Sequence, residues 1–430
     1  MIKTIDFRRD KTSLDRITRR SFEDRRWAER RVERIVRDVK EKGDSAVREY
    51  TARFDGVKIE RFKVDPADVG LAFRRAPDGL KRALKEATQN IRRFHARQLR
   101  KSWFMSERAG SRLGLQLRPI EKIGVYVPGG KAAYPSSVLM AVIPAQIAGV
   151  QEIHLVSPPD SNGLVNNGVL VAASLLGVMA VYRVGGAQAI AALAYGTQSI
   201  PKVDKIVGPG NLYVQTAKRI VFGDVGIDSF AGPSEIIIVA DRTANAAFIA
   251  ADLIAQAEHD ERAMCLLFST SRRLITDVKR ELVEQVEVLP RRRIIKRALK
   301  LHGALVFVAQ VKEAIDLVNL IAPEHLELLT RENSRLLRRI RNAGAIFLGE
   351  HSPVAVGDYF AGPNHVLPTA GSARFSSPLT VDDFVKTSSI VEYTRKRLNE
   401  AREIVSELAT YEGLEAHRAS IAARFSPRYR

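Results

Sequence analysis

From about residue 120 onward, short runs rich in β-branched residues alternate with segments of helical hydrophobic spacing. Parallel strands cannot be joined by a tight turn, and their connection is usually a crossover helix of about a dozen residues. The alternation therefore predicts an α/β fold built on parallel sheets. The runs predicted as strands are Ile123–Val127, Glu152–Val156, Ala180–Val184, Lys205–Val207, Glu235–Ala240, Met264–Ser269 and Ala304–Val308.

Three of these runs end in a glycine-rich turn that opens a helical segment. The turns are Val127-Pro128-Gly129-Gly130, Val184-Gly185-Gly186 and Val207-Gly208-Pro209-Gly210-Asn211. A helix that begins at such a turn offers free N–H groups and a positive dipole end to an anion. None of the turns completes the Gly-x-Gly-x-x-Gly pattern of dinucleotide sites. Three turns in one segment nevertheless favour a bound cofactor.

The N-terminal part of the chain is helical in pattern and strongly basic. The 430 residues carry 68 Lys and Arg against 49 Asp and Glu, a net charge of +19, and residues 1–120 contribute 33 against 18 of these. The charge is spread over helical patterns without interleaved aromatic residues. This distribution favours a solvated basic surface, and nucleic acid is not expected as a partner. A polyanion or partner surface is the alternative, which salt-dependent retention on DNA would reveal.

Three observations bear on the compartment. The longest nearly apolar run, Gly168–Tyr182, is shorter than the roughly 20 residues of a membrane helix. The segment Met1–Lys11 is charged and lacks the apolar region of a secretory signal. The single cysteine, Cys265, excludes an intramolecular disulfide framework and fits a reducing compartment. We therefore expect a cytoplasmic protein without a membrane segment.

A polar stripe marks the helix predicted over Asn245–Glu258. Asp252, Gln256 and His259 share one face, opposite an apolar stripe. A solvated face that ends in a histidine at the helix C-terminus explains this pattern as well as a metal site does. Asp358 and His417 are candidate partners, and such nitrogen and oxygen ligands suit Zn²⁺. Spacing alone does not join residues so far apart, so no metal follows from the pattern.

Two further segments carry candidate chemistry. Glu324-His325 follows a proline and precedes a predicted strand, Leu326–Leu329, so both side chains reach one pocket only if the strand begins after them. An exposed pair at a strand edge is the alternative. The segment Gly349–Gly371 is rich in glycine, proline and histidine and lacks periodicity, which predicts an ordered loop that builds a site.

Eight segments in sequence order resemble those of the histidinol dehydrogenase family, and the resemblance extends through nearly the whole chain. They are GVYVPGG (Gly124–Gly130), GGAQAIAALAYGT (Gly185–Thr197), VDKIVGPGN (Val203–Asn211), FAGPSEI (Phe230–Ile236), QAEHD (Gln256–Asp260), PEHLEL (Pro323–Leu328), GDYFAGPNHVLPT (Gly357–Thr369) and EGLEAH (Glu412–His417). Segments of this length in this order are highly specific.

The resemblance implies a set of site residues. The implied zinc ligands, for one ion per subunit, are Gln256, His259, Asp358 and His417. The implied substrate contacts are Ser234, Gln256, His259, His325, Asp358, Glu412 and His417. The implied NAD contacts are Tyr126, Gln188 and Asn211. Glu324 and His325 match the family's acid–base pair, and His365 is a further pocket candidate.

The resemblance also implies the reaction and the assembly. The family oxidises L-histidinol through the aldehyde to L-histidine, a four-electron reaction of histidine biosynthesis that uses two NAD⁺. His325 would take the alcohol proton, and Glu324 would help to activate water in the second oxidation. Zinc would hold the substrate's imidazole and amine, and the C-terminal tail would complete the site of the neighbouring subunit in a homodimer.

We therefore expect two Rossmann-like parallel-sheet domains with helical additions at both ends. The expected divisions are an arm (1–24), a domain with the metal and acid–base residues (25–120 and 235–380), an NAD-binding domain (121–234) and a helical tail on the partner subunit (381–430). The alternative activity is that of a zinc- and NAD-dependent paralogue that oxidises another polar alcohol, such as a sulfonated diol. A basic nucleic-acid-binding protein has only the N-terminal charge in its favour.

Overall fold

A computed structural model describes residues 2–18, 25–129, 134–230 and 232–426. Parts of the predicted N-terminal arm and Gly130 of the first glycine turn lie outside the described residues. The chain divides into two compact units. Met1–Gln98 and Ile120–Phe384 form the larger unit, and Leu99–Pro119 with Val385–Arg430 form the smaller one.

The strands, numbered in chain order, include every run predicted above. They are β1 (Lys3–Asp6), β2 (Trp103–Ser106), β3 (Arg112–Pro119), β4 (Lys122–Tyr126), β5 (Glu152–Ser157), β6 (Val181–Arg183), β7 (Lys205–Val207), β8 (Gly226–Ile227), β9 (Glu235–Ala240), β10 (Met264–Ser269), β11 (Gly303–Phe307), β12 (His325–Leu329), β13 (Ala345–Leu348) and β14 (Val385–Glu392).

The α-helices connect the strands and cover the sheets. They are α1 (Lys11–Thr18), α2 (Arg25–Lys42), α3 (Asp44–Asp55), α4 (Pro66–Arg75), α5 (Asp78–His95), α6 (Pro135–Ala148), α7 (Asn167–Leu175), α8 (Gly186–Tyr195), α9 (Leu212–Val221), α10 (Ala246–Ala257), α11 (Arg272–Glu287), α12 (Arg292–His302), α13 (Val311–Ile321), α14 (Asn333–Leu337), α15 (Val354–Tyr359), α16 (Arg395–Tyr411) and α17 (Glu415–Ala423). Within the described residues, none of these helices is long and apolar enough to cross a membrane.

The first sheet of the larger unit has five parallel strands in the order β6-β5-β4-β7-β8. From β4 the chain adds β5 and then β6 on one side, and it then returns to add β7 and β8 on the other side of β4. This order is that of one Rossmann-type half, in which ligands bind beyond the carboxyl ends of the strands where the direction reverses. Here that position lies between the ends of β4 and β7.

The second sheet has six strands in the order β1-β11-β10-β9-β12-β13, and all of its pairs are parallel. Strands β9 to β13 repeat the Rossmann-type order, and β1 adds an edge strand beside β11. Every residue of β9, β10 and β12 is buried, because helices cover both faces of the sheet. The predicted α/β class with two Rossmann-like parallel sheets is confirmed.

Helices α2 to α5 lie with the first sheet. Val32 and Val47 share an apolar core with the strand residues Val156 and Ile206, and Ile91 packs in the core around Ile123. The predicted division instead groups 25–120 with 235–380. An amphipathic helix specifies that one face is buried but not which sheet buries it, so the sequence pattern does not decide this packing.

The smaller unit contains a three-stranded antiparallel sheet in the order β14-β3-β2, together with α16 and α17. The helical tail predicted for 381–430 is therefore only partly helical. Residues Val385–Glu392 form β14, which pairs along its whole length with β3 from a distant part of the sequence. Such a long-range pairing leaves no local periodicity by which sequence analysis could identify it.

Candidate active site

The carboxyl ends of β4 and β7 bring together two of the segments singled out above. Gly208, directly after β7, has a φ of 116° and lies so close to the carbonyl oxygen of Tyr126 that a Cβ atom would collide with it. Only glycine permits both the positive φ and this close approach. The turn after β7 therefore packs directly on the end of β4, at the reversal of strand order.

Tyr126 and Gln188 meet at the turn between β6 and α8. The backbone N–H of Gly186 donates to the Tyr126 hydroxyl at 3.2 Å. Both amide atoms of Gln188 are buried and have no hydrogen-bond partner among the described residues. A buried amide without partners costs free energy unless a ligand satisfies it. The predicted cofactor residue Gln188 thus presents an unfilled donor and acceptor at this edge.

Asn211 has a clear structural role as well. Its side-chain oxygen accepts hydrogen bonds from the N–H groups of Tyr213 and Val214, which caps α9. Its predicted contact with NAD stays a prediction. Lys218 and Asp228 form a buried ion pair that supports the glycine turn after β7. Lys218 donates to the carbonyl of Gly208, and the N–H of Gly208 donates to Asp228.

Asp55, at the end of α3, is a residue that sequence analysis did not single out. Its Oδ2 atom is buried and has no hydrogen-bond partner among the described residues. Burial raises the pKa of this carboxyl to about 6. Burial likewise raises the pKa of Tyr126 to about 12, and the charge of Asp55 contributes to that increase. An unpaired carboxylate therefore acts on the predicted cofactor residue Tyr126.

The second cluster lies at the amino ends of β9 and β12, where Glu235 and the pair Glu324-His325 meet. The N–H of Glu235 donates to Glu324 Oε2 at 2.8 Å, and the N–H of Glu324 donates to Glu235 Oε2 at 3.4 Å. His325 Nδ1 lies 2.9 Å from the Glu235 carbonyl oxygen and 3.5 Å from Glu324 Oε2. Glu324 and His325 are both buried, so the exposed pair considered above is excluded.

The electrostatics of this cluster favour a protonated imidazole. Burial of His325 opposes its charge, but the carboxylates of Glu324 and Asp358 and the Glu235 carbonyl outweigh burial and raise the pKa of His325 to about 9. An imidazole in this environment binds a proton more strongly than an ordinary histidine does. The neutral imidazole of His325 is therefore a stronger base than that of an ordinary histidine, and the fraction of His325 in this neutral form increases as the pH rises.

Asp358 and His365 extend the cluster. The predicted loop contains α15, whose fifth residue is Asp358, and the chain then turns back so that His365 Nδ1 donates to the Asp358 carbonyl at 3.1 Å. Burial lowers the pKa of His365, and the charges of Asp358, His325 and Glu324 also act on this imidazole. The segment is ordered by contacts with the helices of the first sheet, since Asn364 donates to the Met140 carbonyl and Asn90 to the Phe360 carbonyl.

Gln256 and His259 lie at the C-terminal end of α10, which runs back from β9 toward the amino edge of the second sheet. Gln256 is 3% exposed, and its side chain makes no hydrogen bond to the described residues. Burial raises the pKa of Tyr359, and the charges of Asp358 and of Glu258, which lies between Gln256 and His259, contribute to that increase. The end of α10 therefore lies near the end of α15.

Within the described part of the chain, no three His, Cys, Asp or Glu side chains form a group able to hold a metal ion. A glutamine such as Gln256 is not among those residue types.

His417, on α17, and Glu412, at the end of α16, belong to the smaller unit. Ser234 directly precedes Glu235, and its carbonyl accepts from the Met264 N–H. The predicted ligand set stays a prediction.

Sequence analysis missed two glutamates of this region, Glu235 and Glu327. Each is buried and has apolar neighbours in its strand, which is EIIIVA for β9 and HLELL for β12. A carboxylate within a buried strand needs partners, because its burial is otherwise costly. That conflict between residue type and strand is the signal by which both could have been found.

Known proteins resemble this chain in sequence and in fold. The histidinol dehydrogenase family model matches residues 18–425. A histidinol dehydrogenase of Halalkalibacterium halodurans is 53% identical over 393 residues, which are 91% of this chain and 93% of that protein. One of Bacillus subtilis is 52% identical over 393 residues, 91% of this chain and 92% of that protein. The crystal structure of histidinol dehydrogenase from Elizabethkingia anophelis has a TM-score of 0.92 at 36% identity and covers 99% of this chain and 98% of that chain.

Proposed function

Because the chain belongs to the histidinol dehydrogenase family, we propose that its oxidation of histidinol takes place at the cluster around Glu324 and His325. The family's activity is the NAD-dependent oxidation of histidinol to histidine. The observation that carries the location is the buried arrangement of Glu324, His325 and Glu235, which supplies two proton acceptors side by side. The relatives named histidinol dehydrogenase favour this substrate over a sulfonated diol.

The NAD site that we propose is the carboxyl edge of the first sheet. Gln188 offers a buried amide without partners, and Tyr126 and Asn211 border the same reversal of strand order. The N-terminus of α8, which no side chain caps, presents backbone N–H groups to the phosphates. When bound, NAD⁺ accepts the hydride that leaves the carbon of the alcohol or of the hydrated aldehyde.

The zinc site that we propose combines Gln256, His259 and Asp358 of one chain with His417 of a second copy. Gln256 is buried and its side chain makes no hydrogen bond to the described residues, and the Asp358 carboxylate has the imidazole of His365 as a neighbour at 4.0 Å. Each of the two side chains therefore retains an oxygen that can bind a ligand. This set of nitrogen and oxygen donors fits a divalent ion such as Zn²⁺. When bound, zinc would hold the substrate's imidazole and amine.

In the first oxidation, His325 is the proton acceptor. Its Nδ1–H donates to the Glu235 carbonyl, so Nε2 is the nitrogen free to accept the alcohol proton. The adjacent Glu324 carboxylate stabilises the imidazolium that results. The alcohol loses one proton and one hydride and becomes the aldehyde.

In the second oxidation, Glu324 prepares a water molecule. Its Oε2 accepts from the Glu235 N–H, which leaves Oε1 to accept a proton from water as the aldehyde is hydrated. Because Glu324 has taken one proton, the hydrate is left as its monoanion, which loses a hydride and a second proton and gives the carboxylate. Two NADH form for each histidinol, and the substitution Glu324→Gln should slow mainly this second stage.

Two further proposals concern the assembly and the compartment. We propose a homodimer in which the smaller unit of one chain, with Glu412 and His417, completes the site of the other. The smaller unit exposes the large apolar side chains of Trp103, Tyr411 and Leu408, as an element buried in an assembly would.

We also propose a cytoplasmic location, which the single buried thiol of Cys265 fits.

The experiment that tests the proposed function counts NADH per histidinol consumed, before and after treatment with a chelator. We expect two NADH per substrate, loss of turnover on chelation and its recovery with Zn²⁺. Production of a single NADH from histidinol, or full activity in metal-free protein, would contradict the proposal. A sulfonated diol serves as the matched alternative substrate, and its preferred oxidation would instead support the paralogue.

A further inference from the structure

A pair of carboxyl groups, one buried and one half-buried, lies behind the candidate active site. Glu327 is on β12 two residues after His325, and it is 1% exposed. Alternate residues of a strand share a face, so Glu327 and His325 point to the same side of the sheet. The next residue on that face, Leu329, packs with Leu253 of α10 and Val354 of α15. The face of β12 that carries Glu327 is therefore the face that α10 and α15 cover.

Glu327 has one partner from each covering helix. The N–H of Val354, the first residue of α15, donates to Glu327 Oε1 at 3.1 Å. The carboxyl group of Asp252, on α10, adjoins that of Glu327, and each of the two groups shifts the pKa of the other. The remaining oxygen, Oε2, is buried and has no donor among the described residues. Two carboxyl groups form a hydrogen bond only if one of them holds a proton.

The same three elements carry the residues of the proposed site. Gln256 follows Asp252 by one turn of α10, and Asp358 is on α15. His325 is the first residue of β12, and Glu324 directly precedes it. A group that joins α10, α15 and β12 therefore fixes the relative positions of the proposed zinc ligands and the acid–base pair. The position of a ligand to within a fraction of an ångström depends on such supporting contacts.

We propose that Glu327 holds a proton on Oε2 and donates it to the Asp252 carboxylate, and that this pair positions Gln256 and Asp358 beside Glu324 and His325. Glu327 and Asp252 are positioning residues and do not touch the substrate. The inference deepens the proposed function and rests on its assignment of the zinc ligands.

The charges around the pair support this assignment of the proton. Burial and the neighbouring charge of Asp252 raise the pKa of Glu327 well above its ordinary value. Burial raises the pKa of Asp252 to about 6, while its hydrogen bond to Glu327 acts in the opposite direction. Asp252 on α10 and His325 on the same strand are the charged groups that act on Glu327, and α15 contributes the Val354 N–H.

The test compares two substitutions at Glu327. In Glu327→Gln, the amide NH₂ donates to Asp252 and the amide oxygen accepts from Val354, so the hydrogen bonds persist without a titratable proton. In Glu327→Met, a side chain of similar length lacks both. The matched control is Glu284→Met on α11, where the glutamate is exposed. Zinc release to a chromophoric chelator is measured from pH 7 to pH 10, with hydrogen exchange of the Val354 amide and the kinetics of histidinol oxidation.

We expect Glu327→Gln to release zinc within about twofold of the wild-type rate and to lose the acceleration of release at alkaline pH. Glu327→Met should release zinc at least tenfold faster, exchange the Val354 amide faster and raise the KM for histidinol more than it lowers kcat. Should Glu327→Met not fold, Asp252→Ala removes the same hydrogen bond from the partly exposed side and is measured in its place.

Two results would overturn the inference. One is a Glu327→Gln protein that loses zinc as fast as Glu327→Met, since an intact hydrogen-bond pattern would then not suffice. The other is an unchanged Val354 exchange rate and zinc release in Glu327→Met. A wild-type protein that binds no zinc contradicts the proposed ligands instead, and the Val354 exchange rates still report on the pair itself.

Discussion

His325 Nδ1 lies 2.9 Å from the carbonyl oxygen of Glu235. Because a carbonyl can only accept, Nδ1 carries a hydrogen, and proton exchange with a substrate is left to Nε2. The contact thus selects the tautomer of the proposed base. The adjacent carboxylate of Glu324 then determines how strongly Nε2 holds its proton.

The first prediction concerns the pH dependence of alcohol oxidation. The pKa of His325 is raised to about 9, and a base must be unprotonated to act, so the rate of the first oxidation should rise with pH through that range. Glu324→Gln removes the charge that holds the proton and should move this rise to lower pH by about one unit or more. Single-turnover NADH formation from histidinol measures it. An unchanged profile in Glu324→Gln would show that another group is the base.

The second prediction concerns the buried ion pair beneath the Gly208 turn. The side chains of Lys218 and Asp228 are 1% and 3% exposed. Lys218→Met leaves the Asp228 carboxylate buried without its cation, which should lower the free energy of unfolding by about 3–5 kcal/mol. The Gly208 carbonyl also loses a donor, so NAD should bind more weakly. Urea unfolding and NAD titration measure the two effects.

Lys279→Met provides the control for that substitution, since Lys279 is exposed on α11. Its unfolding midpoint and NAD affinity should match those of the wild type. A Lys218→Met protein as stable as this control would mean that the ion pair contributes nothing to the fold.

The third prediction concerns Asp55, whose Oδ2 is buried without a partner. Burial raises its pKa from 3.8 to about 6, so the folded state binds the proton more tightly than the unfolded state does. The protonation of Asp55 should therefore contribute stability to the wild type as the pH falls from about 6 toward 4. Asp55→Asn should be more stable above pH 6 by about 1–2 kcal/mol, since part of the side chain is exposed, and this advantage should disappear near pH 4.

Thermal unfolding across that pH range measures the difference, with Asp316→Asn on the exposed side of α13 as the control. A constant difference between Asp55→Asn and the wild type at every pH would show that Asp55 does not titrate in this range.

The fourth prediction tests the shared site. His417→Asn and Glu324→Gln should each be inactive in the complete reaction. In a mixed dimer, one site would combine the intact Glu324 of one chain with the intact His417 of the other. Random exchange makes about half of the dimers mixed, each with one intact site, so about a quarter of wild-type activity should return. If exchange is verified and no activity returns, each chain builds its site alone.

The sequence alone determined the fold class and the chemistry of this protein. Alternating strand and helix patterns fix parallel sheets, because a parallel connection requires a crossover, and local motifs such as Pro323–Leu328 carry the family resemblance. The start of α10 is also local, since Asn245 caps it. These features depend on neighbours in the chain, so they can be read from it.

Tertiary structure decided which residues meet. The hydrogen bond between Glu235 and Glu324 joins residues far apart in the sequence, as do the proximity of Asp252 to Glu327 and the pairing of β14 with β3. The packing of α2 to α5 on the first sheet is equally non-local. Hydrophobic periodicity specifies that a face is buried but not its partner, and a buried carboxyl obtains its proton affinity only from the groups that surround it.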